Sequence, residues 1–307
     1  MNYLRPTQIT DAMILAGTSV AEPTATETAW VASGTYAVGD LRIRSTTHRV
    51  YSCVQAHTGR TQLPESDPAY WLDKSPTQRW APFDAYTTTA VIATSIITYV
   101  LQPGFFNGLT MYGLVGTTIT VSVKNAPGGT VIYTYSGVLS EPPLDWYDYL
   151  FGVQRALTKL VLTDIPINQT AELTVTIPSV SASTVALGML NIGDYRSFIS
   201  SQLWGGVQYG ASAEPTSYSY IKTASDGTST IIQGGKATNL NCTLVLPQAD
   251  TDYAVACAQD VLDIPVSWIA TSAPGYAGLN SFGLGSIVAK YDGVAHSNID
   301  FKIKGFI

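Results

Sequence analysis

Apolar and polar positions alternate over residues 118–124. Ile119, Val121 and Val123 fall on one face of an extended chain, and Thr118, Thr120 and Ser122 on the other. A period of two predicts a strand with one buried face. The run Asn125-Ala126-Pro127-Gly128-Gly129 then turns the chain into residues 131–137, which predicts a hairpin. Leu173, Val175 and Ile177 give residues 172–177 the same alternation. Residues 160–162 precede them as a buried strand, joined through 164–169. Strands at this spacing, with no helix between them, predict an antiparallel β-sandwich.

Past about residue 190 the pattern changes. Residues 218–223 and 228–233 flank Asp226-Gly227, a strong hairpin signal. A strand over 242–246 leads into a helical segment, where Asp250 is placed to cap the N-terminus and Asp252 suits the helix dipole. Ala254, Cys257, Ala258 and Val261 share one helical face and are small enough to pack closely on a sheet. Residues 265–270 return as a strand. At the end of the chain Ile299, Phe301 and Ile303 alternate with Asp300, Lys302 and Lys304, a half-buried strand whose lysines discourage edge pairing. The unit is α+β, with several antiparallel strands and one helix.

The beginning of the chain has weaker patterning. Residues 1–28 read as a short arm and linker, with Thr10 capping a brief helix to about Leu15. Residues 29–82 carry short strands at 41–44 and 50–55, and Gly39-Asp40 marks a turn. A module of about 50 residues has little core. Trp30, Tyr36, Tyr51 and Trp71 either supply that core or turn at least one ring outward, and the sequence leaves both readings open. Trp80 and Phe83 are expected to staple this module to the sandwich that follows.

Composition narrows the function classes. Charged residues make up 12% of the chain, about half the usual share. Hydrophobic residues make up 46%, ample for sizeable cores. Low charge in a β-rich chain suits a protein whose surface is covered by neighbouring subunits, and an ordinary secreted β-protein can share that composition. The net charge is −6, and the 16 Lys and Arg are scattered, so no nucleic-acid partner is expected. Cys53, Cys242 and Cys257 have neither disulfide-framework nor metal spacing and read as small core residues. The apolar stretch near residues 90–101 is too short and too rich in Thr to span a bilayer. The first residues lack the charged and apolar regions of a signal peptide, so synthesis in the cytoplasm is expected.

Catalysis finds no foothold in the sequence. The candidate carboxylate pairs are Asp145 with Asp148, Glu65 with Asp67, and Asp260 with Asp263, and all read as solvated acids in loops. Only His48, His57 and His296 could serve as bases, and no nucleophile elbow accompanies them. No metal-ligand spacing or phosphate-binding loop occurs. No enzyme activity and no cofactor are expected.

Two resemblances add to this reading. The series Trp30, Tyr36, Gly39-Asp40, Tyr51, His57-Thr58, Pro64 and Trp71 resembles the small chitin-binding-type carbohydrate modules of the 5/12 group. The resemblance implies sugar stacked on exposed rings, with Trp30, Tyr36, Tyr51 and Trp71 as candidates and a host surface polysaccharide as ligand. Residues 54–57, where that family carries an aromatic pair, hold no Trp. Over nearly the whole chain, the segments 10–22, 75–84, 161–177 and 203–212 resemble a recurrent type of tailed-phage virion protein. The terminal strand–helix–strand order is similar to tail-tube and distal-tail folds, which implies ring assembly with copies of itself and with other tail or baseplate proteins. The expected architecture is mainly β and multidomain. It has an arm and linker (1–28), a small β carbohydrate-binding-like module (29–82), an antiparallel β-sandwich (83–190), and a C-terminal β-barrel or α+β unit with one flanking helix (191–307). The expected function is that of a structural virion protein of the tail tip or baseplate, contacting host glycan through 29–82. A free glycan-binding adhesin is the alternative, and a polysaccharide-degrading enzyme ranks last.

Overall fold

The computed structural model describes residues 1–143, 145–153, 155–201, 204–271 and 275–306. The protein is mainly β, with sandwich character, as the alternating segments predict. A four-stranded antiparallel sheet runs Val131–Val138, Thr118–Lys124, Glu172–Ile177, Ile97–Leu101 in spatial order. Residues Ile119, Val121, Val123, Leu173, Val175 and Ile177 are all buried. They pack against Leu109, Met111, Leu160, Leu162, Leu190 and Ile192 from strands of a second, larger sheet. That shared core is the sandwich.

The larger sheet has ten strands and does not stop at the sandwich. Its order is Lys159–Leu162, Gly108–Tyr112, Met189–Ser197, Asn2–Pro6, Val266–Ile269, Asn280–Lys290, His296–Gly305, Lys236–Pro247 and Gly206–Val207, with Ser212–Ser217 also pairing on Lys236–Pro247. One continuous sheet therefore runs through both the 83–190 and the 191–307 segments, and Met189–Ser197 crosses from one to the other.

The first residues correct the reading of an arm. Asn2–Pro6 is an interior strand, hydrogen-bonded to Met189–Ser197 on one side and to Val266–Ile269 on the other. Tyr3 and Leu4 are buried. Five residues are too few to show a period, and their partners lie far along the chain, so the pattern alone could not place them. The short helix does form, as a 3₁₀ turn at Asp11–Met13, without a side-chain cap from Thr10.

The C-terminal half builds a second core on the same sheet. Leu240, Leu244, Leu246, Ile299, Phe301 and Ile303 meet Tyr3, Phe198 and Trp268. Trp268 is fully enclosed, and its Nε1 donates to the Gly283 carbonyl at 2.9 Å. The helix Thr251–Gln259 lays Ala254, Cys257 and Ala258 into this core, with Val261 just beyond, as the small-residue face predicts. Asp250 does not cap it. Its carboxylate instead accepts from Ser200 Oγ at 2.6 Å, Ser201 Oγ at 2.5 Å and the Ser201 amide at 3.3 Å. Burial pushes its pKa up, but these hydrogen bonds outweigh that and hold it below the usual value. His296–Gly305 also departs from expectation. It alternates as read, but pairs on both sides and is no edge strand. Lys302 and Lys304 are exposed because they stand on the wet face.

Within 29–82 the chain forms two small sheets and a local cluster of buried rings. Leu41–Arg44, Arg49–Cys53 and Trp71–Pro76 form a three-stranded sheet, and Thr35–Tyr36 pairs with His57–Thr58. A run of rings joins it to the sandwich. His48 stacks on Trp80 at 4.2 Å, Trp80 meets Phe83 edge-on at 5.8 Å, and Phe83 meets Tyr99 at 5.5 Å. Glu22 accepts from Thr77 Oγ1, Trp80 Nε1 and His48 Nδ1 at the same junction. The staple expected of Trp80 and Phe83 is present.

Candidate interaction site

The four aromatic candidates of the small module are not arranged as a binding platform. Tyr36, Tyr51 and Trp71 are between 2% and 5% exposed and form its core with Cys53. Tyr36 and Trp71 meet edge to face at 5.0 Å. The Tyr36 hydroxyl donates to the Val31 carbonyl at 2.7 Å and accepts from the Val31 amide at 2.8 Å. Trp30 is half-buried against that core, and the Arg44 guanidinium lies 5.4 Å from its ring centre. Arg42 covers Tyr36 and Arg60 covers Tyr70 in the same way. The sugar-stacking role is thus corrected for Tyr36, Tyr51 and Trp71. A module this small needs those rings inside to have a core at all.

The carboxylate candidates are also occupied or dispersed. Glu65 pairs with Arg44 at 3.1 Å, and buried Asp67 pairs with Arg60 at 2.8 Å, so both anchor the guanidinium groups that cover the rings. Asp260 and Asp263 are exposed at the end of the helix. Asp145 caps the short helix Trp146–Phe151 by accepting the Asp148 amide at 2.8 Å. His48 lies between Asp11 and Glu22, His57 is packed among Tyr36, Tyr70 and Trp71, and His296 is exposed. No cluster of His, Cys, Asp or Glu suited to a metal occurs among the described residues. The three cysteines are free and buried, and burial pushes the Cys242 thiol up to about 11.

Two elements do present themselves outward. The first is the excursion 141–155, which connects Val131–Val138, one of the two outer strands of the small sheet, to Lys159–Leu162, one of the two outer strands of the large one. It therefore stands at the open edge of the sandwich. Its base is closed by a bridge between Ser140 and Ala156 and by the Glu141 amide donating to the Arg155 carbonyl at 2.8 Å. From this base Trp146, Tyr147, Tyr149, Leu150, Phe151 and Val153 all project, each between 62% and 90% exposed. Trp146 and Tyr149 meet edge-on at 5.8 Å, and Tyr147 and Phe151 at 5.4 Å. A shallow hollow of about 410 Å³ lies among Pro143, Asp145, Trp146 and Tyr149. A tighter one of about 90 Å³ is lined by Glu141, Pro142, Pro143, Asp148, Tyr149, Val153 and Arg155.

The second is the hairpin Tyr220–Thr223 with Ser229–Ile232, folded about Asp226-Gly227 as the sequence predicts. Gly227 takes φ +84°, which a turn of this kind requires. Tyr218, Tyr220, Ile221 and Ile231 are all exposed.

Sequence reasoning treated 145–148 only as a pair of acids and missed the rings between and after them. A signal was available. Trp146, Tyr147, Tyr149, Leu150 and Phe151 fill every position of this segment but that of Asp148, and so leave a helix here almost no polar face to turn toward water. Among the described residues no helix is long and apolar enough to cross a membrane. Compared with known proteins, the chain matches no family model, no curated protein and no solved structure.

Proposed function

We propose that this chain is a structural subunit of a virus particle, of the tail tip or baseplate of a tailed phage, and that it works by assembly and not by catalysis. The observation that carries this reading is the contrast between well-filled cores and two apolar elements, 141–155 and 218–232, left standing in solvent. Soluble monomers rarely expose contiguous apolar patches of more than a few hundred Å². Low charge and the outer edge of Val131–Val138 support the same reading, since an uncovered strand edge templates pairing with another chain. The candidate acids are committed to ion pairs, to a helix cap or to open solvent, which supports a non-catalytic role.

The test is to probe purified particles of the source phage with antibodies raised separately against residues 190–307 and 28–82. Label at the tail tip is expected. Absence of the chain from the proteins of disrupted particles would overturn the proposal, and label confined to the capsid would replace the tail with the head.

A further inference from the structure

The excursion 141–155 is built to be covered from several sides. Its helix Trp146–Phe151 has six residues, too short to hold together in water on its own propensity. Successive residues of a helix step around the axis by about 100°. Trp146, Tyr147, Tyr149, Leu150 and Phe151 therefore point in different directions, and none of them is buried against the protein's own body. With Val153 they expose roughly 1,000 Å² of side chain, of the order of the 800 Å² that each partner contributes to a standard protein interface.

The charges around the patch indicate what covers it. Glu141 and Arg155 line the same small hollow and share a backbone hydrogen bond, yet among the described residues neither side chain makes an ion pair. Asp148 lines the same hollow and Asp145 caps the helix beside it, so the patch holds both signs of charge, Glu141 and Arg155 among them, around a cluster of rings. An isologous contact matches any residue with its counterpart reciprocally, so each Glu141 can meet the opposite Arg155 while the rings pack together between them. A wholly cationic or anionic partner would satisfy one of these groups and oppose the other.

We propose that residues 141–155 form the contact between two copies of this chain, related by a twofold axis at the open edge of the sandwich. The aromatic side chains supply the buried centre and two reciprocal Glu141–Arg155 pairs supply the rim. This deepens the assembly reading and rests on it, by assigning one surface to self-contact.

The experiment is sedimentation velocity on the full chain across a range of concentrations. The wild type should form dimers or multiples of them. The double variant Trp146→Ser, Phe151→Ser should associate at least about tenfold more weakly, with an unchanged circular dichroism spectrum because neither ring is buried in the monomer. Glu141→Arg and Arg155→Glu should each weaken association, and combining them should restore it. Unchanged association in the Trp146/Phe151 variant would overturn the self-contact. If Tyr220→Ser, Ile221→Ser instead abolished association, the assembly reading would stand with its contact moved to the hairpin. A wild type that stays monomeric at about 100 μM also overturns the self-contact. Adding phosphatidylcholine vesicles then separates the remaining cases: binding that needs Trp146 and Phe151 assigns the patch to a lipid surface, whereas no binding by a chain still found in particles assigns it to a different virion protein. A monomer absent from particles would bring down both readings.

Discussion

The module at 29–82 and the excursion at 141–155 are both rich in aromatic residues, and they use them in opposite directions. In the module Tyr36, Tyr51 and Trp71 are buried in one core and arginines lie over Trp30, Tyr36 and Tyr70. In the excursion Trp146, Tyr147, Tyr149 and Phe151 face solvent and touch mainly each other. The difference is one of scale and neighbours. A small module must spend its rings on its own core. A loop mounted on a sandwich that already has a full core can leave its rings for something else. Aromatic content therefore indicates where binding could occur but does not distinguish a core from a contact surface.

The strongest way to break this comparison is to truncate one ring from each region. Trp71→Ala should destabilise the module by about 3–5 kcal/mol, the range for deleting a large buried aromatic side chain. Denaturant titration of the full chain, followed by a probe within 29–82, measures it. A loss below about 1 kcal/mol would mean that the module's rings are not its core.

Tyr36→Phe is a finer cut, because it keeps the ring and removes only the hydroxyl. It leaves the Val31 amide and carbonyl without their partner. A cost of about 1–3 kcal/mol is expected, read in the same titration. A neutral result would show that water replaces the hydroxyl and that this edge of the module is open.

The acid limb of stability sharpens the comparison from the side of the sandwich, which carries the excursion. Glu172 is buried on an interior strand of the small sheet, 2.6 Å from Lys124 Nζ and accepting the Gly128 amide at 3.1 Å. The hydrogen bond from Lys124 leads in holding its carboxyl below the usual range, against the cost of burial. A group whose pKa is depressed on folding stabilises the protein above its unfolded pKa, and that contribution is lost as pH falls through the folded pKa. The melting temperature of the wild type should thus fall as pH drops below the ordinary carboxylate range. Glu172→Gln should lower stability at neutral pH and flatten that acid limb. An acid limb of unchanged slope in Glu172→Gln would remove Glu172 as its source.

The smallest effect is expected in the excursion itself. Trp146→Ala should change the stability of the monomer by no more than about 0.5 kcal/mol, the usual range for exposed positions. It is measured by the same denaturant titration at a concentration where the chain does not associate. A loss comparable with that of Trp71→Ala would mean that the ring packs on the body of the protein, and the contrast between the two regions would collapse.

Much of the fold could be read from the sequence, because burying one face of a strand imposes a period of two on its residues. The alternations at 119–123, 173–177 and 299–303 mark buried faces, and Asp226-Gly227 marks a hairpin. The small-residue face of the helix at 251–259 was equally legible, since only small side chains allow so close an approach to a sheet. Residues 2–6 were not legible. Their place was set by hydrogen bonds to Met189–Ser197 and Val266–Ile269, partners that no local window contains. The same holds for Asp250, whose capping role was displaced by Ser200 and Ser201.

By itself the sequence determined the alternating strands at 118–124, 172–177 and 296–305, the hairpin about Asp226-Gly227, the helix at 251–259 and the mainly β class, because these follow from local periodicity and turn chemistry. Only the tertiary structure decided that one sheet joins both halves through the first strand, and which aromatic residues face inward. Both depend on what lies opposite a residue in space. Hydrophobicity records that a side chain is better removed from water, but not whether its own chain or another one removes it.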